Sequence, residues 1–468
     1  MNRFTLLLIV SLTLLSSCSL SSQQDKLDLS CPDCNLIMIN VELLRADAVG
    51  LLNNASTATP FIDSFFSDGI VFTDVSAPAG ATYESLTAVF RGQEALERPY
   101  HVFEDRKPEP DAPLTLAQVL QKDGWETAYV NEGRNSGDEV FMDVGFEYYY
   151  DSPDQRSINP SLNEFDYVLD HKSRERELLE TAGEYQRQYV QYHINQLHFP
   201  FFFRTEEVFP LQKNFSYIGM TPAFSADDNL TMVEYFYDRQ ELEFDPYQRE
   251  YDENGSFFWA NFSLEQPDGS SRKIYYDLVL EENRYWYDKK LEKLDADLKE
   301  VFSHINQTGF LNNSIIVLYA NHGQSLGENN LFHHSLLFQT TVHVPLLIHH
   351  PKISEPIIVD TPVSLVDLTA TLYDMLGVDH RTSGVSMVSL LEGQNYQRDA
   401  IYGRNVDTKY IREGDWKLID WGSYVTLYNL RADPYEEMDR STDYPALAQE
   451  LEEKLAAKEL ELKSWQKR

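Results

Sequence analysis

Four side chains able to gather round a cation stand at the ends of apolar runs in this 468-residue chain. Glu42 follows "NLIMINV", Thr82 heads "TYESLTAVFRG", and Asn321 and His322 follow "SIIVLYA". A carboxylate, a hydroxyl, an amide oxygen and an imidazole form an N/O donor set suited to one divalent ion, Zn²⁺, Mn²⁺ or Ca²⁺. Such an ion would lower the pKa of the Thr82 hydroxyl and polarise an attacked ester, acting as activator and electrophile together. A helix starting at Thr82 would add backbone N–H donors for an anion. Arg45 and Asp47 in "ELLRAD" are candidates to orient the loop under the metal, Ser85 stands one helical turn past Thr82, and Arg134 is a candidate anion contact. Each residue also has a plainer role. Glu42 could cap a helix or pair with a cation, Thr82 could be an N-cap, and Asn321 could be a turn residue before Gly323.

Ligands of open α/β sheets bind at the carboxyl ends of the strands, so the elements before these residues decide whether they meet. "NLIMINV" (35–41) is apolar nearly throughout, as expected of a strand covered on both faces. "TPFIDSFFSDG" has helical spacing and a Gly stop, and "IVFTDVSAP" returns to strand. "PLTLAQVLQKDG" is an amphipathic helix and "WETAYVN" a strand. "RYWYDKKLEKLDADLKEVFSHI" is a helix with i, i+4 charge pairs. "SIIVLYANHG" and "VPLLIHHP" are strands, and "TPVSLVDLTATLYDMLG" is a helix. This alternation predicts an α/β fold with a mixed, mostly parallel sheet covered by helices on both faces. Residues from about 151 to 275, rich in Tyr, Phe, Asp and Glu, interrupt the rhythm and read as an insertion in a catalytic domain spanning 35–385. "KYIREGDWKLIDW" and "YVTLYNL" predict a small antiparallel subdomain within 386–468, closed by a charged terminal helix.

Lys and Arg number 39 and Asp and Glu 75, giving a formal charge of −36. A field of that sign repels nucleic acid, so no nucleic-acid partner is expected, and positive charge at an anion site must come from a metal or a few placed Arg and Lys. Arg3 precedes the apolar run "FTLLLIVSLTLL", long enough for a signal h-region and too short to span a bilayer. The following "LSSCS" resembles a bacterial lipobox, so residues 1–18 are expected to be a lipoprotein signal peptide, with Cys18 lipidated as the membrane anchor and 19–34 as a tether. Ser19 after Cys18 suggests sorting to the outer membrane, with the protein exported to the periplasmic side. An ordinary cleaved signal peptide is the alternative. Of the remaining cysteines, Cys31 and Cys34 in "CPDC" favour a local disulfide in an exported chain, with a redox pair as the other reading.

The motifs together resemble the sulfatase family, within the alkaline phosphatase superfamily. The resemblance runs from 35 to 455. "NLIMINVELLRADAVG" is similar to the family's opening strand and "TPFIDSFFSDGIVFTDVSAPAGATYESLTAVFRG" to its nucleophile segment. "LYANHGQSLGENNLF" with "VHVPLLI" resembles its Asp-His-Gly segment, "TPVSLVDLTATLYDMLG" its late helix, and "WKLI" with "LYNLRADPYEE" its C-terminal subdomain. Sulfatases carry Cys or Ser at the place of Thr82, followed by Pro and Arg, and convert it to formylglycine. Thr cannot become formylglycine, so the resemblance implies a Thr nucleophile, as in phosphoethanolamine transferases. It also implies Glu42, Thr82, Asn321 and His322 as metal ligands and His334 as the residue that protonates a leaving oxygen. Asn321 stands where such relatives have Asp. Losing one charge near a cation costs about 4 kcal/mol at roughly 4 Å and an effective dielectric near 20, on the order of a thousandfold in affinity. A Pro-His that relatives show after a "PFF" strand is absent after "FPFFFRTEEVFPLQ". The expected function is therefore an exported metal-dependent hydrolase or transferase of anionic sulfate or phosphate esters. The alternative is an inactive sulfatase-like binding or scaffold protein of the cell envelope.

Overall fold

The computed structural model describes residues 27–95, 112–132, 136–137, 142–151, 187–197, 250–251, 257–258, 263–265, 271–273, 276–307, 309–328, 332–333, 336–394, 396 and 398–465. Its centre is an eight-stranded sheet. In chain order the strands are β1 (Asn35–Val41), β2 (Ile70–Phe72), β3 (Glu126–Asn131), β4 (Tyr148–Asp151), β5 (Gln188–Ile194), β6 (Ser314–Tyr319), β7 (Leu346–His349) and β8 (Ile357–Val359). They lie side by side as β8-β2-β7-β6-β1-β5-β3-β4. All but β7 run the same way; β7 is antiparallel to both β6 and β2. This is the mixed, mostly parallel sheet expected. The continuous apolar character of β1 follows from its central place, with helices over both faces burying six of its seven residues.

The helices are α1 (Pro60–Phe66), α2 (Thr82–Arg91), α3 (Leu116–Lys122), α4 (Tyr276–Gln307), α5 (Asp367–Leu376) and α6 (Pro445–Trp465). A Thr115–Gln118 capping box opens α3, and Gly92, at φ +58 where a side chain is disfavoured, closes α2. Helix α4 begins at Tyr276, eight residues before the expected start at 284. Among the described residues no helix is long and apolar enough to cross a membrane.

The structure departs from the expected insertion in one respect. Residues 188–194, inside the span 151–275, form a strand of the central sheet beside β1. "QYVQYHI" does not read as a core strand because Gln188, Gln191 and His193 look like solvent residues. All three are buried, and Gln191 and His193 are hydrogen-bonded within the protein. The "FPFFFRTEEVFPLQ" segment lies outside the described residues.

The C-terminal strands β9 (Ile401–Arg404), β10 (Lys409–Glu413), β11 (Trp416–Asp420) and β12 (Val425–Asn429) form the expected antiparallel meander. Leu451, Leu455 and Leu462 of α6 pack on its Tyr402, Ile411, Leu418 and Leu427. This unit braces the chain that enters α2. Tyr410 Oη donates to the Ala77 carbonyl at 2.7 Å, Gly80 N–H donates to Asn405 Oδ1 at 2.9 Å, and Arg412 pairs with Asp74 at 2.5 Å. Cys31 and Cys34 form a disulfide just before β1.

Candidate active site

Thr82 is the first residue of α2, held where the helix N-terminus meets the carboxyl ends of β1 and β6. Its hydroxyl contacts Glu42 Oε1 and lies 3.2 Å from His322 Nε2. All three residues are nearly inaccessible, with Glu42 at 1 %, Thr82 at 6 % and His322 at 0 % exposure. Glu42 continues β1, and its N–H donates to the Ile194 carbonyl at 2.9 Å. Leu43 then takes a left-handed backbone, φ +66, unusual for a branched side chain and a sign of local strain. Tyr287 of α4 pins that turn, donating to the Leu43 carbonyl at 3.0 Å and accepting the Arg45 N–H at 3.0 Å.

The polarity of His322 follows from its neighbours. Its Nδ1 lies 2.9 Å from the Gly323 carbonyl, which can only accept, so Nδ1 carries a proton, and in the neutral form of the ring Nε2 presents its lone pair toward Thr82. Gly323 has a steric reason as well, since a Cβ there would sit 2.6 Å from the Thr340 carbonyl oxygen. Asn321 is fixed by its backbone: its N–H donates to Asn40 Oδ1 at 2.8 Å, and its carbonyl accepts from Ser85 Oγ at 2.5 Å. Both polar atoms of the Asn321 side chain are buried with no partner.

The structure therefore brings Glu42, Thr82 and His322 together and seats Asn321 beside them. Ser85 serves the loop, its hydroxyl spent on the Asn321 carbonyl. Arg45 and Asp47 face each other through two hydrogen bonds of 2.9 and 2.7 Å. Arg45 also reaches Glu328 at 2.5 Å, and Arg284 of α4 reaches Asp47 at 3.1 Å. Burial opposes the Arg45 charge, but Asp47 and Glu328 outweigh it and raise its pKa further. Burial likewise opposes the Asp47 charge, and the two arginines hold that carboxyl well below the usual range. Arg134 and His334 lie outside the described residues. On the same rim, burial pushes Glu132, just past β3, up to about 7.

Sequence reasoning missed two members of the cluster. His193 of β5 places Nε2 3.2 Å from Glu42 Oε2, and Asn40 of β1 places Nδ2 2.6 Å from His193 Nδ1. The search for a histidine after a "PFF" strand was anchored on 199–203, whereas the strand beside β1 ends at Ile194. The usable signal was the strand character of "YVQYHI" followed by polar "NQ".

The donor chemistry fits a divalent ion in type. The His322 lone pair, the Glu42 carboxylate and the Thr82 hydroxyl meet, and the Asn321 amide lacks an internal partner. Among the described residues no three His, Cys, Asp or Glu side chains form a metal-holding group; the Thr82 hydroxyl and the Asn321 amide stand beside Glu42 and His322. Only Glu42 contributes formal charge among the four.

A sulfatase family model matches residues 34–378, and a model of the N-sulphoglucosamine sulphohydrolase C-terminal region matches 327–462. Arylsulfatase K of Mus musculus is 27% identical over 192 residues, covering 37% of this chain and 35% of that protein. Choline-sulfatase of Rhizobium meliloti is 30% identical over 194 residues, covering 37% and 38%. These matches span little more than a third of the curated relatives' length. The fold is shared over almost the whole chain with two solved structures. The phosphonate monoester hydrolase of Agrobacterium radiobacter superposes with a TM-score of 0.63 at 16% identity, covering 91% of this chain and 95% of that one. BT4656, solved with its substrate D-glucosamine-2-N,6-O-disulfate, gives 0.67 at 19% identity, covering 92% and 98%. By its family match over most of its length and by its fold, the chain belongs to the sulfatase family, within the alkaline phosphatase superfamily.

Proposed function

We propose that this protein is an exported, metal-dependent hydrolase or transferase of sulfate or phosphate esters, with Thr82 as the attacking group. The observation that carries this reading is the Thr82 hydroxyl, set at a helix N-terminus against the Glu42 carboxylate and the His322 lone pair. The sulfatase and phosphonate hydrolase relatives support the ester class.

The Thr82 hydroxyl passes its proton to water, because Glu42 and His322 offer their lone pairs to the ion, and its oxygen forms a bond to sulfur or phosphorus. The bond from that atom to the bridging ester oxygen breaks, and the electron pair leaves on the alcohol oxygen, which takes up a proton. His334 is the residue proposed to deliver it. Water, or an acceptor alcohol in a transferase, then displaces Thr82 and restores its hydroxyl. N–H groups in the first turn of α2 face the anion that enters. A divalent ion held by Glu42, Thr82, Asn321 and His322 would supply the positive charge that lowers the hydroxyl pKa and neutralises the ester oxygens.

Export and anchoring by a lipid on Cys18 belong to the same reading. The Cys31–Cys34 disulfide supports an oxidising compartment. The test is hydrolysis of paired nitrophenyl sulfate and phosphate esters with Zn²⁺, Mn²⁺ and Ca²⁺ in turn, beside Thr82→Ala. Metal-dependent turnover that falls about 10⁴-fold or more in the variant is expected. Equal turnover in the variant would sink the Thr mechanism, and the preferred ester names the reaction.

A further inference from the structure

We infer that His193 is a positioning residue of this site, with Asn40 setting its polarity, and that together they hold Glu42 with Oε1 turned to Thr82. Its kinetic consequences rest on the Thr82 reading above.

The direction of every hydrogen bond in the chain can be assigned by elimination. Asn321 N–H can only donate, so the Asn40 atom it meets at 2.8 Å is the carbonyl oxygen. The other Asn40 atom is then the amide nitrogen, and it donates to His193 Nδ1 at 2.6 Å. A neutral ring whose Nδ1 accepts carries its proton on Nε2, and that N–H donates to Glu42 Oε2 at 3.2 Å. The last link leaves Glu42 Oε1 for Thr82. Asn40, His193, Glu42 and Asn321 are all at 1 % exposure or less, so no solvent competes for these bonds.

The sheet imposes the arrangement. Asn40 lies opposite His193 in the parallel ladder and opposite Tyr319, two residues before Asn321, on its other side. Asn40 and Glu42 are two residues apart, the spacing that puts strand side chains on one face. The terminal carboxylate torsion of glutamate is broad and roughly two-fold. Glu42 therefore needs a partner on Oε2 to keep Oε1 on the nucleophile. Groups that orient a ligating or reacting side chain in this way are worth about 10–100-fold in metal affinity or activity.

The experiment compares wild type, His193→Leu, His193→Gln and Thr82→Ala for steady-state kinetics on the preferred nitrophenyl ester, for Mn²⁺ affinity by calorimetry, and for melting temperature. His193→Leu is expected to lose about 10–100-fold in kcat, with KM little changed and Mn²⁺ bound more weakly. His193→Gln, whose amide nitrogen can still donate to Glu42, is expected to recover most of both losses. A His193→Leu protein as fast as wild type, or a His193→Gln protein as impaired as His193→Leu, overturns the inference. Thr82→Ala as active as wild type instead defeats the nucleophile reading and leaves the hydrogen-bond chain standing. A readout independent of turnover is the nitrogen-15 spectrum of histidine-labelled protein, with the His193 signals identified by their loss in His193→Gln. A proton on Nε2 with bare Nδ1 supports the chain; a proton on Nδ1 contradicts it.

Discussion

Glu42 and Arg45 are three residues apart and both are buried, yet they belong to opposite kinds of polar cluster. Arg45 sits in a closed one: two arginines, Arg45 and Arg284, against Asp47 and Glu328, with Arg45 also donating to the Gln324 carbonyl at 3.2 Å. Asp288 adds a third carboxylate, 3.2 Å from Arg284, and the arginines' forks are spent on protein partners. Among the described residues, Glu42 sits with two imidazoles, His193 and His322, the Thr82 hydroxyl and the Asn321 amide, whose side chain has no internal partner. Buried polar groups are normally paired, and an exception asks for a ligand. The closed cluster is held by internal ion pairs, whereas the open one keeps, among the described residues, a buried amide without an internal partner.

The comparison can be broken most severely at Arg45. Arg45→Met removes a buried arginine, leaving half-buried Asp47 with Arg284 alone and half-buried Glu328 without Arg45, and the loss expected in denaturant unfolding is about 3–5 kcal/mol. A change below about 1 kcal/mol would mean that the cluster is not the brace described, since surface pairs are worth that little. The open cluster responds to added charge. Asn321→Asp is expected to tighten divalent binding by about 3–4 kcal/mol, on the order of a few hundred- to a thousandfold, for a charge near 4 Å from the ion. Unchanged Mn²⁺ affinity in a calorimetric titration would mean that Asn321 does not face the ion.

The smallest effects are in pH dependence, and their signs differ between Asp47 of the closed cluster and Glu132 on the strand-end rim. The Asp47 carboxyl is depressed in the folded state, so its stabilisation is complete above the ordinary carboxylate value and is lost as pH falls toward the folded value. Asp47→Asn should therefore flatten the acid limb of the stability curve while lowering stability at neutral pH. Glu132 is raised from 4.5 to about 7 by burial, so its contribution falls as pH rises across that window and levels above it. Glu132→Gln should remove that decline, up to about 2–3 kcal/mol between pH 4.5 and 7. Parallel curves for wild type and variant would mean that Glu132 is solvated.

Much of this was legible from the chain. The apolar runs before Glu42 and Asn321 announced buried strands, because a strand covered on both faces has no polar alternation to lose. Thr82 at the head of "TYESLTAVFRG", followed by a Gly stop, announced a helix start at a strand end. β5 was not legible, because a buried strand carrying Gln188, Gln191 and His193 has the composition of a surface strand until its partners are known. Arg45 and Asp47 were visible as a motif, but their partners Glu328 and Arg284 lie more than 230 residues away in sequence.

The sequence by itself determined the family, the alternation of strands and helices outside β4, β5 and β8, and the residue types that meet at the carboxyl ends of β1 and β6, because periodicity and strand ends are local properties. The tertiary structure decided what each of those residues is for. Hydrogen bonds have direction, and the direction of a buried one is set by the groups packed against it, here brought from β1, β5, β6 and α2. Only that packing turns His322 Nε2 toward Thr82, spends Ser85 on a backbone carbonyl, and joins His193 to Glu42.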